Sequence, residues 1–516
     1  MCKKILKTLM RPVILIVALC LLTSLSFFSL AGVCLNDPSL SCSASISEIE
    51  IGEPLDGADA RDVKKFLGLH ALFWSVQSDL NGNTSSRVSP QAISILKNSG
   101  VGLIRYGGGV NEIDWRGCVG WVMDRPKQKL VDWTGPMRCI FGLAEYEKLN
   151  DELGLSSSWH IANVVGFEGK TNPIEGLAKD ANEIARLIKA LSGDRQRYWE
   201  LGNELDRDTL KWSAEKITER DLPVAQAIKK SDPTAHIIIP LLEYSPEWIK
   251  DSDEHNRYLI RQHKSVASDY ALHLYYDNAP WGPPVANQLA SVRNIAKIIK
   301  AEGIRTPSIW VTEHARPPPG TPKDKNWNQT WYQTGNHDAV IATADFLIGL
   351  SQIPMVQGAA WHGLRTGPWN FIDIGSNGGL RETQMSRLFE MLNPSFDYLT
   401  LVTKTTSTYE ANLSGGYTIR ATAFADKSDP MGSKCVVWMV NRSSEEKKVR
   451  LIKKSFEQSS RLKVTQVAIP DSYDASVPIE HMPIVSQSLY PSSGAITVVA
   501  PKHSVVKLNI IYADKP

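Results

Sequence analysis

Tyr198-Trp199-Glu200-Leu201-Gly202-Asn203-Glu204-Leu205-Asp206 reads as a short buried strand that ends on an Asn-Glu pair. A second run, Ser308-Ile309-Trp310-Val311-Thr312-Glu313-His314, has the same shape and closes on another carboxylate. Six more apolar runs share their length. They are Leu67 to Trp74, Gly102 to Tyr106, Trp159 to Val165, His236 to Pro240, Tyr270 to Tyr275 and Met355 to Trp361. Helical periodicity fills most of the gaps: Leu143 to Leu153, Ala178 to Leu191, Ala214 to Lys230, Glu247 to His263, Val285 to Glu302, Asp338 to Ser351 and Thr383 to Met391. Short hydrophobic strands alternating with amphipathic helices predict parallel strands covered by helices. Eight such units fit an α/β fold of the (β/α)8 TIM barrel type. A doubly wound open sheet is the rival. It would concentrate its ligand residues at one or two crossovers, whereas polar residues close six or seven of these runs.

From about Thr400 the pattern changes. Tyr417 to Phe424 alternates, and Cys435 to Asn441 and Val505 to Ile511 are strand-like, with no long helical pattern among them. This predicts a C-terminal β-sandwich over 396–516, after a catalytic barrel over 45–395, with residues 45–55 able to add a strand to the sandwich. Before the barrel lie Lys3, Lys4, Lys7 and Arg11, an apolar run from Pro12 to Leu30, and Ser29-Leu30-Ala31. That is the layout of a signal peptide over 1–31, with an uncleaved signal anchor as its rival. Removing it takes four basic residues and no acidic one, so the formal charge passes from +2 to −2. Nothing in that balance suggests nucleic acid as a partner. A membrane is a partner only if the signal stays in place. Five cysteines remain after the signal. Cys34–Cys42 and Cys118–Cys139 are open to pairing in an oxidising compartment, leaving Cys435, and five unpaired thiols fit the spacings equally well. No spacing matches a zinc pattern, and no metal or cofactor is expected.

Residues at the C-terminal ends of barrel strands face the active site. Glu204 and Glu313 follow the fourth and seventh strands, which nearly face one another across the mouth. Paired carboxylates in that position are what glycoside cleavage requires, one protonating the leaving oxygen and one attacking the sugar. Asn203 can bond a hydroxyl beside the anomeric carbon or simply cap the strand end. His273 and Tyr275 stand two apart on the sixth strand and so share a side, where the Tyr hydroxyl can hold the nucleophile ionised. Arg105 can do the same by charge. Trp361 ends the eighth strand as a candidate sugar platform, and Asn163 on the third strand is a further candidate. His273, Tyr275, Arg105 and Trp361 each also have a plain structural reading, as a core residue or buried ion pair.

Taken together, the set resembles the clan A glycoside hydrolases. Gly202-Asn203-Glu204 matches their acid/base motif and Thr312-Glu313 their nucleophile motif. Within the clan the chain looks most like the α-L-arabinofuranosidases of glycoside hydrolase family 51 and their neighbours. Arg105-Tyr106-Gly107-Gly108-Gly109 is similar to their Arg-aromatic-Pro-Gly-Gly turn, and Ala500-Pro501-Lys502-His503-Ser504-Val505 to the lead-in of their last sandwich strand. The resemblance runs from about residue 65 to 511. It departs in two places where the sugar is expected. No Glu occurs in His70-Ala71-Leu72-Phe73-Trp74-Ser75, and His314 follows the nucleophile where Trp is common. Arg316, just beyond, can meet an acidic sugar or solvent.

The expected protein is an exported retaining glycosidase acting on an oligo- or polysaccharide, with Glu313 as nucleophile and Glu204 as acid/base, its pKa raised. A non-catalytic carbohydrate-binding protein on the same scaffold needs neither carboxylate. A transglycosylase shares the intermediate and differs only in acceptor.

Overall fold

Eight strands pair in parallel, each with its successor in the chain, and the last returns to the first to close a barrel. They are β2 (Gly68–Ala71), β3 (Leu103–Tyr106), β4 (Ser157–Ile161), β5 (Gln196–Glu200), β6 (His236–Pro240), β7 (Asp269–Tyr275), β8 (Ser308–Ala315) and β9 (Val356–His362). The ring is the α/β TIM barrel the alternation predicts. This computed structural model describes residues 46–71, 88–107, 114–128, 135–162, 174–207, 210–244, 246–376, 378–410, 413, 416–429 and 434–512. The signal region, Cys34, Cys42 and Asn163 lie outside the described residues.

Eight helices accompany the strands among the described residues: α1 (Pro90–Asn98), α2 (Leu143–Leu153), α3 (Ile174–Ser192), α4 (Ala214–Ser231), α5 (Ser252–His263), α6 (Val285–Ala301), α7 (His337–Ser351) and α8 (Gln384–Leu392). Their starts are chemically marked. Ser89, Ser213, Asp251 and Asn336 each accept a backbone N–H from the first turn of α1, α4, α5 and α7, satisfying donors the helix leaves orphaned. None of the described helices is long and apolar enough to cross a membrane.

Inside the barrel the period-2 alternation of strands stacks side chains in layers. The lower layer is apolar: Leu103, Trp159, Tyr198, Ile238, Ala271 and Trp310 form one buried cluster. Trp159 stacks on Tyr198 at 4.8 Å and meets Trp310 edge-on at 4.9 Å. Two residues further along the same strands come Arg105, Glu200, His273 and Thr312, all buried. The aromatic plug therefore forms the floor of a charged layer.

The second body is a nine-stranded sheet. Its strands are β1 (Ser47–Pro54), β10 (Tyr398–Thr406), β11 (Ile419–Asp426), β12 (Lys434–Asn441), β13 (Lys447–Lys453), β14 (Leu462–Ile469), β15 (Val485–Leu489), β16 (Ala495–Ala500) and β17 (Ser504–Tyr512). They lie in the order β15-β14-β17-β12-β11-β10-β1-β13-β16. β1, from ahead of the barrel, sits between β10 and β13. The sheet curls over one core. Leu462 and Val464 of β14 share a cluster with Ile496 and Val498 of β16, and Gln466 donates to the Val499 carbonyl at 2.9 Å across the fold. Its other face, with Phe424, Val436, Trp438 and Val440, joins the barrel's core. Between the two lies α7, buried on every side, which explains a helix apolar all round. Its buried Asp345 accepts from Arg420 and Arg442 of the sheet, and Arg442 also pairs with Asp277 beyond β7. Cys118 and Cys139 form a disulfide, and Cys435 is a buried thiol.

Candidate active site

Glu313 is brought into the mouth by an irregularity in β8. Against β7, Val311 pairs with Leu272 and Glu313 with His273, so Thr312 is skipped. A bulge of this kind re-aims a side chain. Thr312 and Glu313 accordingly both reach inward, Thr312 donating to Glu200 at 3.2 Å. Glu204 is presented by a tight turn after β5. Gly202 sits at φ 84 and Glu204 at φ 52, a left-handed conformation uncommon for a side chain of this kind. A Cβ at Gly202 would come within 2.7 Å of Leu205.

Arg105 organises the layer beneath. Its guanidinium grips Glu200 with two bonds, 2.6 and 2.8 Å, a fork that fixes its plane. From that plane it donates to Asn203 Oδ1 at 2.8 Å and to Glu313 Oε1 at 2.8 Å. Glu313 also meets His70 Nδ1 at 3.1 Å, His362 Nδ1 at 3.3 Å and the Tyr275 hydroxyl, which donates to Oε2 at 2.9 Å. Burial opposes its charge, but His273, then His362 and His70, outweigh burial and hold it well below the usual carboxylate range. Burial likewise opposes Glu200, and Arg105 brings it down to about 2. Burial and then Arg105 bring His70 down to about 4, so it is neutral.

His273 lies between the carboxylates. Its Nδ1 is 2.8 Å from Glu204 and 3.5 Å from Glu313, and its Nε2 is 3.6 Å from Glu200. Burial works against its charge, yet Glu313, Glu200 and Glu204 push it up to about 10. This corrects the expectation of a raised pKa on Glu204. Burial and Glu313 raise that carboxyl, but the bond to charged His273 leaves it lowered on balance. One proton is held on the His273–Glu204 pair rather than on Glu204 alone. Glu204, Glu313 and His273 each offer an atom within 4.8 Å of the others, so an oxygen of one carboxylate lies within 4.8 Å of an oxygen of the other.

The expected residues fall into place unevenly. Arg105, Asn203, Glu204, His273, Tyr275 and Glu313 converge. Trp361 does not join them. Alternation along β9 turns it outward into the core, where it meets Phe371 at 6.2 Å, while the adjacent His362 points in. His314 faces away from the mouth as well, bonded to the Tyr276 hydroxyl at 3.0 Å and packed on Phe346, so it is not a sugar contact. Arg316 donates to the carbonyls of Asp277 and Gln333 at 3.1 and 2.8 Å, which uses it to hold its own loop. The site also contains Glu200, His70 and His362, which the sequence pattern does not single out. Glu200 stands two residues after the inward Tyr198, so alternation alone could have found it. A cavity of about 800 Å³ opens at the opposite end of the barrel, lined by Tyr198, His236, Asp269 and Trp310, far from this chemistry.

The fold is that of the GH51 α-L-arabinofuranosidases. The enzyme from Thermotoga petrophila superposes with a TM-score of 0.68 at 14% identity, over 90% of this chain and 99% of the other. The arabinofuranosidase from Xanthomonas axonopodis pv. citri gives 0.69 at 16% identity, over 90% and 100%. A glucosidase from Croceicoccus marinus gives 0.57 at 12% identity, over 91% and 100%. No protein-family model matches the sequence, and no curated protein matches it significantly.

Proposed function

We propose that this protein is a retaining O-glycoside hydrolase with Glu313 as nucleophile and Glu204 as acid/base. The observation that carries the reading is the approach of the two carboxylates within 4.8 Å across His273. Retaining enzymes hold their carboxyl groups about 5–5.5 Å apart, and inverting ones roughly 6.5–9.5 Å to admit a water. Each acid also has the surroundings its role needs. Glu313, ionised by its basic neighbours and aligned by Arg105 and Tyr275, attacks the anomeric carbon as the glycosidic bond breaks. The leaving oxygen takes a proton from Glu204, which His273 replenishes over 2.8 Å. Once Glu313 is an ester its charge is gone, and with it the interaction that raised the pKa of Glu204. Glu204 is then a base for the water that releases the sugar.

An α-L-arabinofuranoside is the first substrate to try, because the similar structures include arabinofuranosidases. Export is proposed from the signal-like pattern of residues 1–31, and the Cys118–Cys139 disulfide suits an oxidising compartment. The test is hydrolysis of aryl arabinofuranosides, xylosides, glucosides, galactosides and glucuronides by the wild type, Glu204→Gln and Glu313→Gln. One glycoside should turn over with retained anomeric configuration, lose turnover in Glu313→Gln and slow in Glu204→Gln. Activity surviving Glu313→Gln would remove the nucleophile assignment. Silence toward every aryl glycoside and toward arabinoxylan would favour a carbohydrate-binding role.

A further inference from the structure

A second cluster of ligand-type side chains lies where α7 meets the sheet, away from the catalytic carboxylates. His337 opens α7 with its ring buried, 7% exposed. Its Nε2 is 2.7 Å from the carbonyl oxygen of His503. A carbonyl only accepts, so Nε2 carries the hydrogen and Nδ1 of the neutral ring a lone pair. That Nδ1 is buried and has no hydrogen-bond partner. Leaving such an atom unpaired is costly unless something else satisfies it. His503 sits in the turn before β17 at φ 41, its ring edge-on to His337 at 5.0 Å. Its Nε2 is 3.5 Å from Asp338, and its Nδ1 is 3.5 Å from Asp471. His337, Asp471 and His503 each offer an atom within 4.8 Å of the others.

The geometry points to a site for a divalent transition metal of the zinc class, held by His337, Asp471 and His503. Two imidazoles and a carboxylate are a borderline ligand set suited to such ions. Each imidazole has its Nε2 against an acceptor, a backbone carbonyl for His337 and the Asp338 carboxylate for His503. Partners of that kind fix the tautomer and ring orientation of metal-bound histidines. Ligand atoms around a tetrahedral ion stand roughly 3.3 Å apart, given bonds of about 2.0–2.1 Å. Asp471, with its side chain 62% exposed, is free to swing the remaining distance and leaves the ion a path from solvent. The three ligands come from the start of a barrel helix, the loop after β14 and the turn before β17. A bound ion would clasp the barrel to the sheet.

The test uses the full-length protein stripped with a chelator, in a Glu313→Gln background. That substitution removes the carboxylate from the His70–Glu313–His362 group, which also lies within 4.8 Å and would otherwise confuse the count. Zinc is titrated in competition with a chromogenic chelator, and cobalt is added separately to read its visible absorption. One zinc per chain and the intense bands of tetrahedral cobalt are expected. Both should weaken at least roughly tenfold in Asp471→Asn and in His503→Asn. Asn tolerates the left-handed backbone at 503, and Asp471 is exposed, so neither change threatens the fold. Absence of zinc binding at micromolar concentration overturns the proposal. So does an affinity that stays within about twofold in both variants.

Discussion

Replacing His273 with Asn should narrow the pH profile from both sides, because this one imidazolium serves both carboxylates. In the wild type the acid limb of kcat/KM reports ionisation of Glu313, which His273 depresses from 3.5 Å. Two unit charges at that distance interact by about 4.7 kcal/mol at an effective dielectric of 20 and about 1.2 kcal/mol at 80. Losing that attraction lets the Glu313 pKa rise toward the ordinary carboxylate range. Activity that persists well below pH 4.5 in the wild type should therefore fail at higher pH in the variant. On the alkaline side the sign is opposite. The wild type keeps its catalytic proton on a pair whose imidazole is pushed up to about 10. With Asn the proton rests on Glu204 alone, and the limb falls toward an ordinary carboxyl. The assay is initial-rate kcat/KM for an activated aryl glycoside from pH 3 to 11, with thermal unfolding at each pH to exclude denaturation. A uniform loss of rate, with both limbs within about 0.3 unit of wild type, would refute the shared-proton reasoning.

Tyr275→Phe removes one donor to the buried Glu313 at 2.9 Å; hydrogen bonds to charged groups contribute about 1.5–3 kcal/mol. A fall of roughly 10- to 150-fold in kcat/KM is expected, with the unfolding temperature nearly unchanged, from steady-state kinetics beside calorimetry. Arg105→Met leaves Glu200 wholly buried without its forked partner. Chemical denaturation should record a loss of about 3–5 kcal/mol. Opening the Cys118–Cys139 bridge, with 21 residues of separation, should cost about 3 kcal/mol. Reductant should lower the melting temperature of the wild type and leave a Cys118→Ser/Cys139→Ser double variant where it is.

Much of this was readable residue by residue. The helix over Leu143–Leu153 occurs where its periodicity placed it, and the helices from Ala214 and Val285 begin where theirs did. These stretches carry their own signal, an apolar stripe at the helical repeat. The periodicity does not mark α1, although Ser89-Pro90 is a cap followed by the residue best suited to a first turn. Glu200 was hidden for a different reason. An acid inside an apolar run looks like an exception until its strand is known to alternate into a shared interior. Trp361 shows the reverse error. A strand end is not enough to place a ring in the mouth, because the alternation there favours His362.

Local pattern was enough to define alternating strands and helices, a β-rich C-terminal region and two strand-end glutamates, since each depends only on neighbours a few residues away. Barrel closure decided the rest. β9 returns to β2 and brings His362 beside His70, 292 residues apart. The bulge at Thr312 turns Glu313 toward both, and His273 ends between two carboxylates from other strands. These contacts set the charges on Glu313 and His273, and they depend on register around a closed ring, which no window of sequence contains.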